Sequence, residues 1–121
     1  MARILLADDE AGARDFVRRA LEADGHAVTV CEEGSEALEL LARSGGKFEL
    51  LVTDVHMPGL DGVTLSSRAM KANPRLRVLL ISGHSSGLER ANALDRARVR
   101  TLSKPFTLDQ IRAEVRGALQ G

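Results

Sequence analysis

Three stretches of the chain, Ile4-Leu5-Leu6, Leu50-Leu51-Val52 and Val78-Leu79-Leu80-Ile81, are near-continuous apolar runs without the polar alternation of a half-exposed strand. Runs of this kind belong to parallel strands that are covered on both faces. They fall within a series of five similarly spaced aliphatic segments: Arg3 to Ala7, Ala27 to Cys31, Glu49 to Thr53, Arg77 to Ser82 and Val99 to Ser103. Parallel neighbours need crossover connections, so the stretches between them must hold helices.

Those stretches carry the helical period. Phe16, Val17, Ala20 and Leu21 share one face between charged residues, and Gly25 offers a stop. Ser35 to Ser44 places Ala37, Leu38 and Leu41 together, and Val63 to Ala72 runs into Asn73-Pro74, which cannot continue a helix. Leu108, Ile111, Val115 and Ala118 define a last helix with Thr107 at its N-cap. The fourth helix, Ser86 to Asp95, is thinly apolar, with only Leu88, Ala91 and Leu94. The alternation predicts an α/β fold, a doubly wound five-stranded parallel sheet flanked by five helices.

A chain of 121 residues fits one compact domain, here residues 1–121, with no length for a second catalytic or DNA-binding unit. Without Trp or Tyr its core must be aliphatic. The lone Cys31 lies in an expected buried strand and fits a reducing compartment, and no apolar run approaches a membrane span, so a cytoplasmic protein without membrane insertion is expected. Net charge is zero, but residues 1–67 carry 6 basic and 13 acidic side chains against 11 and 4 in residues 68–121. The basic half lacks the density and aromatic interleaving of a nucleic-acid surface, so no direct nucleic-acid binding is expected.

In open parallel sheets, sites form beyond the carboxyl ends of the strands. There the sequence places Asp8, Asp9 and Glu10 after the first strand, Asp54 after the third, Ser82 at the end of the fourth and Lys104 after the fifth. If the strands run in the order 2-1-3-4-5, Asp8, Asp9 and Asp54 come within reach of one another. Such carboxylates repel, and they either raise a pKa or hold a cation. An all-oxygen donor set suits Mg2+. The set reads as a phosphoryl-transfer site: a carboxylate nucleophile, a metal, a hydroxyl and an ammonium. Each residue also has a plainer reading. Asp8 to Glu10 could cap the first helix, Pro58-Gly59 suits a type II turn after Asp54, and Asp61 suits a helix N-cap.

Four motifs, Leu5-Leu6-Ala7-Asp8-Asp9-Glu10, Leu51-Val52-Thr53-Asp54-Val55-His56-Met57-Pro58-Gly59-Leu60-Asp61-Gly62, Ile81-Ser82-Gly83-His84 and Ser103-Lys104-Pro105-Phe106, occur in this order. In order and spacing the chain resembles a bacterial response regulator receiver domain over essentially its whole length. The resemblance implies the flavodoxin-like strand order 2-1-3-4-5 and Asp54 as phosphoacceptor. It implies Mg2+ bound by Asp9, Asp54 and the backbone carbonyl of His56, with Asp8 acting through water, and Ser82 and Lys104 on the phosphoryl group. Its partners would be a histidine kinase or phosphotransfer protein upstream and a protein target on the helix 4–strand 5–helix 5 face. That face would hold Arg90, Arg96, Arg98, Arg100, Arg112 and Arg116, suited to an acidic partner. The chain would be a phosphoacceptor rather than a turnover enzyme. The resemblance also raises the expectation of a cis Lys104–Pro105 bond.

One departure stands out: receivers usually carry an aromatic residue three positions before the lysine, and here it is Thr101. The coupling from Ser82 to the outer face would then pass through the fourth helix and the Gly83 to Gly87 loop. In this departure the chain resembles single-domain regulators that steer a protease or its adaptor. His56 and His84, two residues beyond Asp54 and Ser82, are either solvent-facing loop histidines or groups that govern water access and the lifetime of a phosphorylated state. A haloacid dehalogenase-type phosphatase would want an Asp-x-Asp pair after the first strand, and a nucleotide binder a Gly-rich loop there; both are missing. The stronger alternative is an interaction module that keeps the fold and signals without phosphate. A third is a chain excised from a longer regulator.

Overall fold

A computed structural model describes residues 1–120, the Ser85 side chain excepted. The chain alternates β1 (Arg3–Ala7), α1 (Ala11–Ala23), β2 (Ala27–Cys31), α2 (Gly34–Arg43), β3 (Leu50–Asp54), α3 (Gly62–Ala72), β4 (Arg77–Ser82), α4 (Ser85–Ala91), β5 (Val99–Ser103) and α5 (Leu108–Gln120). The strands form one five-stranded parallel sheet in the order β2-β1-β3-β4-β5, as expected.

The apolar runs are explained by two cores, one on each face of the sheet. Ile4, Leu6, Leu50, Val52, Leu79 and Ile81 face α1 and α5, while Leu5, Leu51, Val78 and Leu80 face the layer of α2, α3 and α4. Because successive strand side chains point to opposite faces, a strand buried on both reads as a near-continuous apolar run, with its buried polar residues Thr53, Asp54 and Ser82 confined to the carboxyl ends. The edge strands β2 and β5 are covered less, and β5 is correspondingly more polar, with Arg100, Thr101 and Ser103. Strand pairing sets the height of the site: Ala7 lies opposite Thr53, and Asp54 opposite Ile81.

Several helix boundaries move by one residue, with α2 at Gly34–Arg43, α3 starting at Gly62 and α4 starting at Ser85 inside the expected Gly83 to Gly87 loop, and two further differences bear on the site. β3 runs one residue later than Glu49 to Thr53, so Asp54 is itself the final strand residue. α4 stops at Ala91 instead of reaching Asp95. After it the amides of Asn92, Ala93 and Leu94 bond carbonyls three residues back, and the Asp95 carboxylate captures the Ala97 amide at 3.0 Å. A side chain that bonds its own backbone competes with helix propagation. Leu94 still packs against the core, so its apolar signal belongs to a turn. Asp61 caps α3 through the Thr64 amide at 2.9 Å, Thr107 accepts from the Gln110 amide at 3.1 Å, and Gly59 has φ 76°, as the expected turn requires.

Candidate functional site

Asp54 is 7% exposed at the carboxyl edge of the sheet, and both its carboxylate oxygens are engaged. Oδ2 accepts from Lys104 Nζ at 2.5 Å, and Oδ1 from the His56 amide at 3.1 Å. The backbone is fixed from behind. The Val55 amide donates to the Ile81 carbonyl at 2.9 Å, and the Gly62 amide to the Val55 carbonyl at 2.8 Å. A Cβ at position 62 would stand 2.1 Å from the Asp54 carbonyl oxygen, so only glycine lets α3 begin this close to the site.

Asp8 continues β1 and is 4% exposed. Its Oδ1 accepts from the Glu10 amide at 3.0 Å, and its carbonyl accepts from Arg14 Nη1 at 2.9 Å. The capping reading of these acids does not hold: Glu10 is the N-cap of α1 without a side-chain cap, and Asp8 instead braces the strand-to-helix connection. Burial pushes the Asp8 carboxyl above its ordinary range, and the charges of Asp54 and Asp9 add to this against the Glu10 amide and Lys104. Burial alone would lower the Lys104 ammonium. Contact with Asp54 and the charges of Asp54, Asp8 and Glu10 outweigh it and hold the ammonium above its usual range.

Asp8, Asp9, Glu10, Asp54 and Lys104 line a single cavity of about 450 Å3, completed by His56, Gly83 and His84. Carboxylates outnumber cations there, which suits an added cation. Among the described residues no three His, Cys, Asp or Glu side chains are arranged to hold a metal ion by themselves. Magnesium does not require that, since it commonly takes one or two carboxylates and keeps several waters.

Ser82 departs from expectation. It is fully buried and does not line the cavity. Its hydroxyl donates to the His84 carbonyl and accepts from the His84 amide, both at 3.0 Å. The reason is local: the backbone turns directly after β4 and offers a donor and an acceptor to the nearest hydroxyl. The two histidines are in contact, ring centroids 4.7 Å apart and nearly perpendicular. The Lys104–Pro105 bond is cis. Thr101 is exposed on β5.

The close seating of Gly62 and Gly87 and the bond from Arg14 to the Asp8 carbonyl were not foreseen, although Gly62 stands in the second motif and Gly87 closes the Gly83 to Gly87 loop. A Cβ on Gly87 would lie 2.8 Å from Ser82 Oγ and 3.1 Å from His56 Nε2, so the first turn of α4 packs on both. A glycine inside an already weak helix costs about 1 kcal/mol relative to alanine, and that was the available signal.

The chain matches the family model described as response regulator receiver domain over residues 4–116. It is 36% identical over 118 residues to the response regulator MprA of Mycobacterium leprae, covering 98% of this chain and 51% of that protein. It is 36% identical over 115 residues to the response regulator receiver protein CpdR of Brucella abortus, covering 95% of this chain and 94% of that one. The chain thus spans about half the length of MprA, and 13% of the similar sensor kinase CckA of Brucella abortus. Among solved structures it resembles the receiver domain of the hybrid histidine kinase CckA, with TM-score 0.81 and 34% identity, covering 98% and 99% of the two chains. It also resembles the response regulator protein TrrA of Thermotoga maritima, in complex with Mg(2+)-BeF, with TM-score 0.84 and 26% identity, covering 98% and 100%.

Proposed function

The chain belongs to the response regulator receiver domain family, and from that premise we propose that it is a phosphorylation-dependent switch with Asp54 as the phosphoacceptor. The observation that carries this reading is the engaged, nearly buried Asp54 carboxylate in a cavity shared with Asp8, Asp9 and Lys104. The donor would be a phosphohistidine of a histidine kinase or phosphotransfer protein. A carboxylate oxygen of Asp54 attacks phosphorus, the phosphorus–nitrogen bond breaks, and the imidazole leaves as an acyl phosphate forms.

Asp9, Asp54 and the His56 carbonyl would hold Mg2+, with Asp8 acting through water, in keeping with the similarity to TrrA in complex with Mg(2+)-BeF. When bound, the ion supplies charge neutralisation for crowded carboxylates and phosphoryl oxygens. Lys104 already contacts Asp54 and is placed to follow the charge onto the phosphoryl group.

Output would run through α4. For Ser82 to donate to a phosphoryl oxygen it must give up its bond to the His84 carbonyl, and the Gly87 turn rests on that same hydroxyl. No aromatic ring at position 101 is needed to carry the movement outward.

The test is intact mass after incubation with magnesium and acetyl phosphate. Wild type gains one phosphoryl group, and Asp54→Ala gains none. No gain in wild type, with magnesium binding also undetectable, would leave the phosphate-independent interaction module as the better reading.

A further inference from the structure

The two edges of the sheet are guarded unequally. Proteins keep edge strands from pairing with other chains by placing charge, proline or a bulge on them. β5 carries Arg100 and the exposed Thr101. β2 reads Ala27-Val28-Thr29-Val30-Cys31, with no charge and no proline, and its register with β1 is unbroken from end to end. Val30 stands 39% exposed on it.

The direction of its backbone groups follows from the ladder. In a parallel pair the N–H and C=O of one residue turn to the same neighbour, and successive residues alternate. The Ala27 amide donates to the Ala2 carbonyl and the Cys31 carbonyl accepts from the Asp8 amide, so positions 27, 29 and 31 serve β1. His26, Val28, Val30 and Glu32 therefore turn theirs away from the sheet. The His26 amide is closed onto the Leu21 carbonyl at 3.1 Å, and the Glu32 amide onto Glu36 Oε1 at 3.2 Å. The donors and acceptors of Val28 and Val30 are left facing outward between these two closures.

We propose that β2 pairs antiparallel with β2 of a second copy of this chain, about a two-fold axis at Thr29, so that one sheet runs through both. Val28 of each copy exchanges both backbone bonds with Val30 of the other, and the Thr29 side chains meet at the axis. Only this register uses every outward donor and acceptor of the two valines, and an interface of this kind is necessarily self-complementary. On the α1 face Val28, half-covered by the core, and Val30 would meet their counterparts in a continuous apolar strip.

Charge selects a second copy as the occupant. Glu36, Leu40 and Arg43 share one face of α2 above this edge, and Lys47 follows. Glu36 stands at the carboxyl end of β2, where it holds the Glu32 amide. Arg43 and Lys47 stand at the amino end, around a groove of about 400 Å3 shared with Thr29, Leu40 and Phe48. The flank is thus acidic at one end and basic at the other. Its two-fold image reverses that order, setting Glu36 toward Arg43 and Lys47 of the other copy and Leu40 toward its own counterpart. Arg43 is free to turn, because its pair with Glu39 spans 3.6 Å with both side chains 67% exposed. The inference does not rest on phosphorylation, since none of these residues lines the Asp54 cavity.

The experiment is sedimentation equilibrium of the full, unphosphorylated chain at rising concentration, joined to cysteine cross-linking. Wild type should show a reversible monomer–dimer equilibrium. Glu36→Lys and Arg43→Glu should each weaken it about tenfold by setting like charges opposite one another. An equal mixture of the two variants should recover it, because opposite charges then face each other at both contacts. Thr29→Cys should give a disulfide-linked dimer under mild oxidation, and Arg19→Cys, on an exposed turn of α1, should not. A chain that stays monomeric at millimolar concentration would overturn the proposal. So would a dimer whose strength neither reversal changes, or one that Thr29→Cys does not link.

Discussion

α3 and α4 both follow a strand that ends at the site, yet they are attached to it in opposite ways. α3 begins with an Asp61 side-chain cap, sets Gly62 against the backbone of Asp54, and buries Val63, Leu65, Ser66, Ala69 and Met70. α4 is seven residues long, has no side-chain cap at His84, and sets Gly87 against the tips of side chains. One helix is fastened to main chain, which cannot yield, and the other to a hydroxyl and an imidazole, which can. The two helices thus differ in what their glycines touch, main chain for α3 and side-chain ends for α4.

The sharpest way to break this contrast is to add the same methyl group on each side. Gly62→Ala should destabilise the fold by about 3 kcal/mol or prevent folding, because the Asp54 carbonyl cannot move aside. Gly87→Ala should cost less than about 1 kcal/mol, since better helix propensity offsets part of the contact, while altering the exchange of α4 amides. Denaturant melts and hydrogen exchange read the two effects. Equal destabilisation would end the distinction.

Next in size is the cap. Asp61→Ala should cost about 1 kcal/mol in a denaturant melt. Asp61 also pairs with Arg90 on α4 at 2.9 Å, so the same substitution should loosen α4 in hydrogen exchange. Arg90→Ala should loosen α4 while leaving global stability within about 0.5 kcal/mol.

The pH dependence sharpens the same link. Burial opposes ionisation of Asp61, but the Thr64 amide and the Arg90 guanidinium outweigh it and hold the carboxyl below its ordinary value of 3.8. A depressed folded-state pKa gives stability that is present above 3.8 and is lost as pH falls through the folded value. Acid should therefore release the α3 cap and the α4 tether together, in one transition that Asp61→Asn removes. Two separate transitions in amide shifts would show the helices to be independent.

The smallest expected effect concerns the histidine pair. His56→Ala with His84→Ala should change the decay rate of the acyl phosphate several-fold, with little change in melting temperature, because both rings are exposed and line the cavity. An unchanged rate in a mass-spectrometric time course would reduce them to ordinary loop residues.

The strands were legible because a sheet covered on both faces favours near-continuous apolar runs. The acids and lysine were legible because strand ends in such a sheet converge. The state of Ser82 was not, since its hydroxyl answers to backbone groups of His84 that a sequence does not orient. The end of α4 was missed because Leu94 keeps helical spacing while Asp95 captures the following amide. The basic face was overread for a related reason. Arg116 finds Asp24 at 92 residues' separation, and Arg98 closes carbonyls at Asn73 and Leu76. Only the folded chain decides which charges are left over.

The backing behind Asp54 has a mechanical consequence. Gly62 presses on its carbonyl, the Val55 amide is tied to β4, and the side chain stands at the end of a strand buried on both faces. An acidic residue so braced cannot recoil when its oxygen gains bulk and charge. Under the proposed phosphorylation the residue would act as an abutment, and the load of the added group would pass forward to the contact with play in it, the long arm of Lys104.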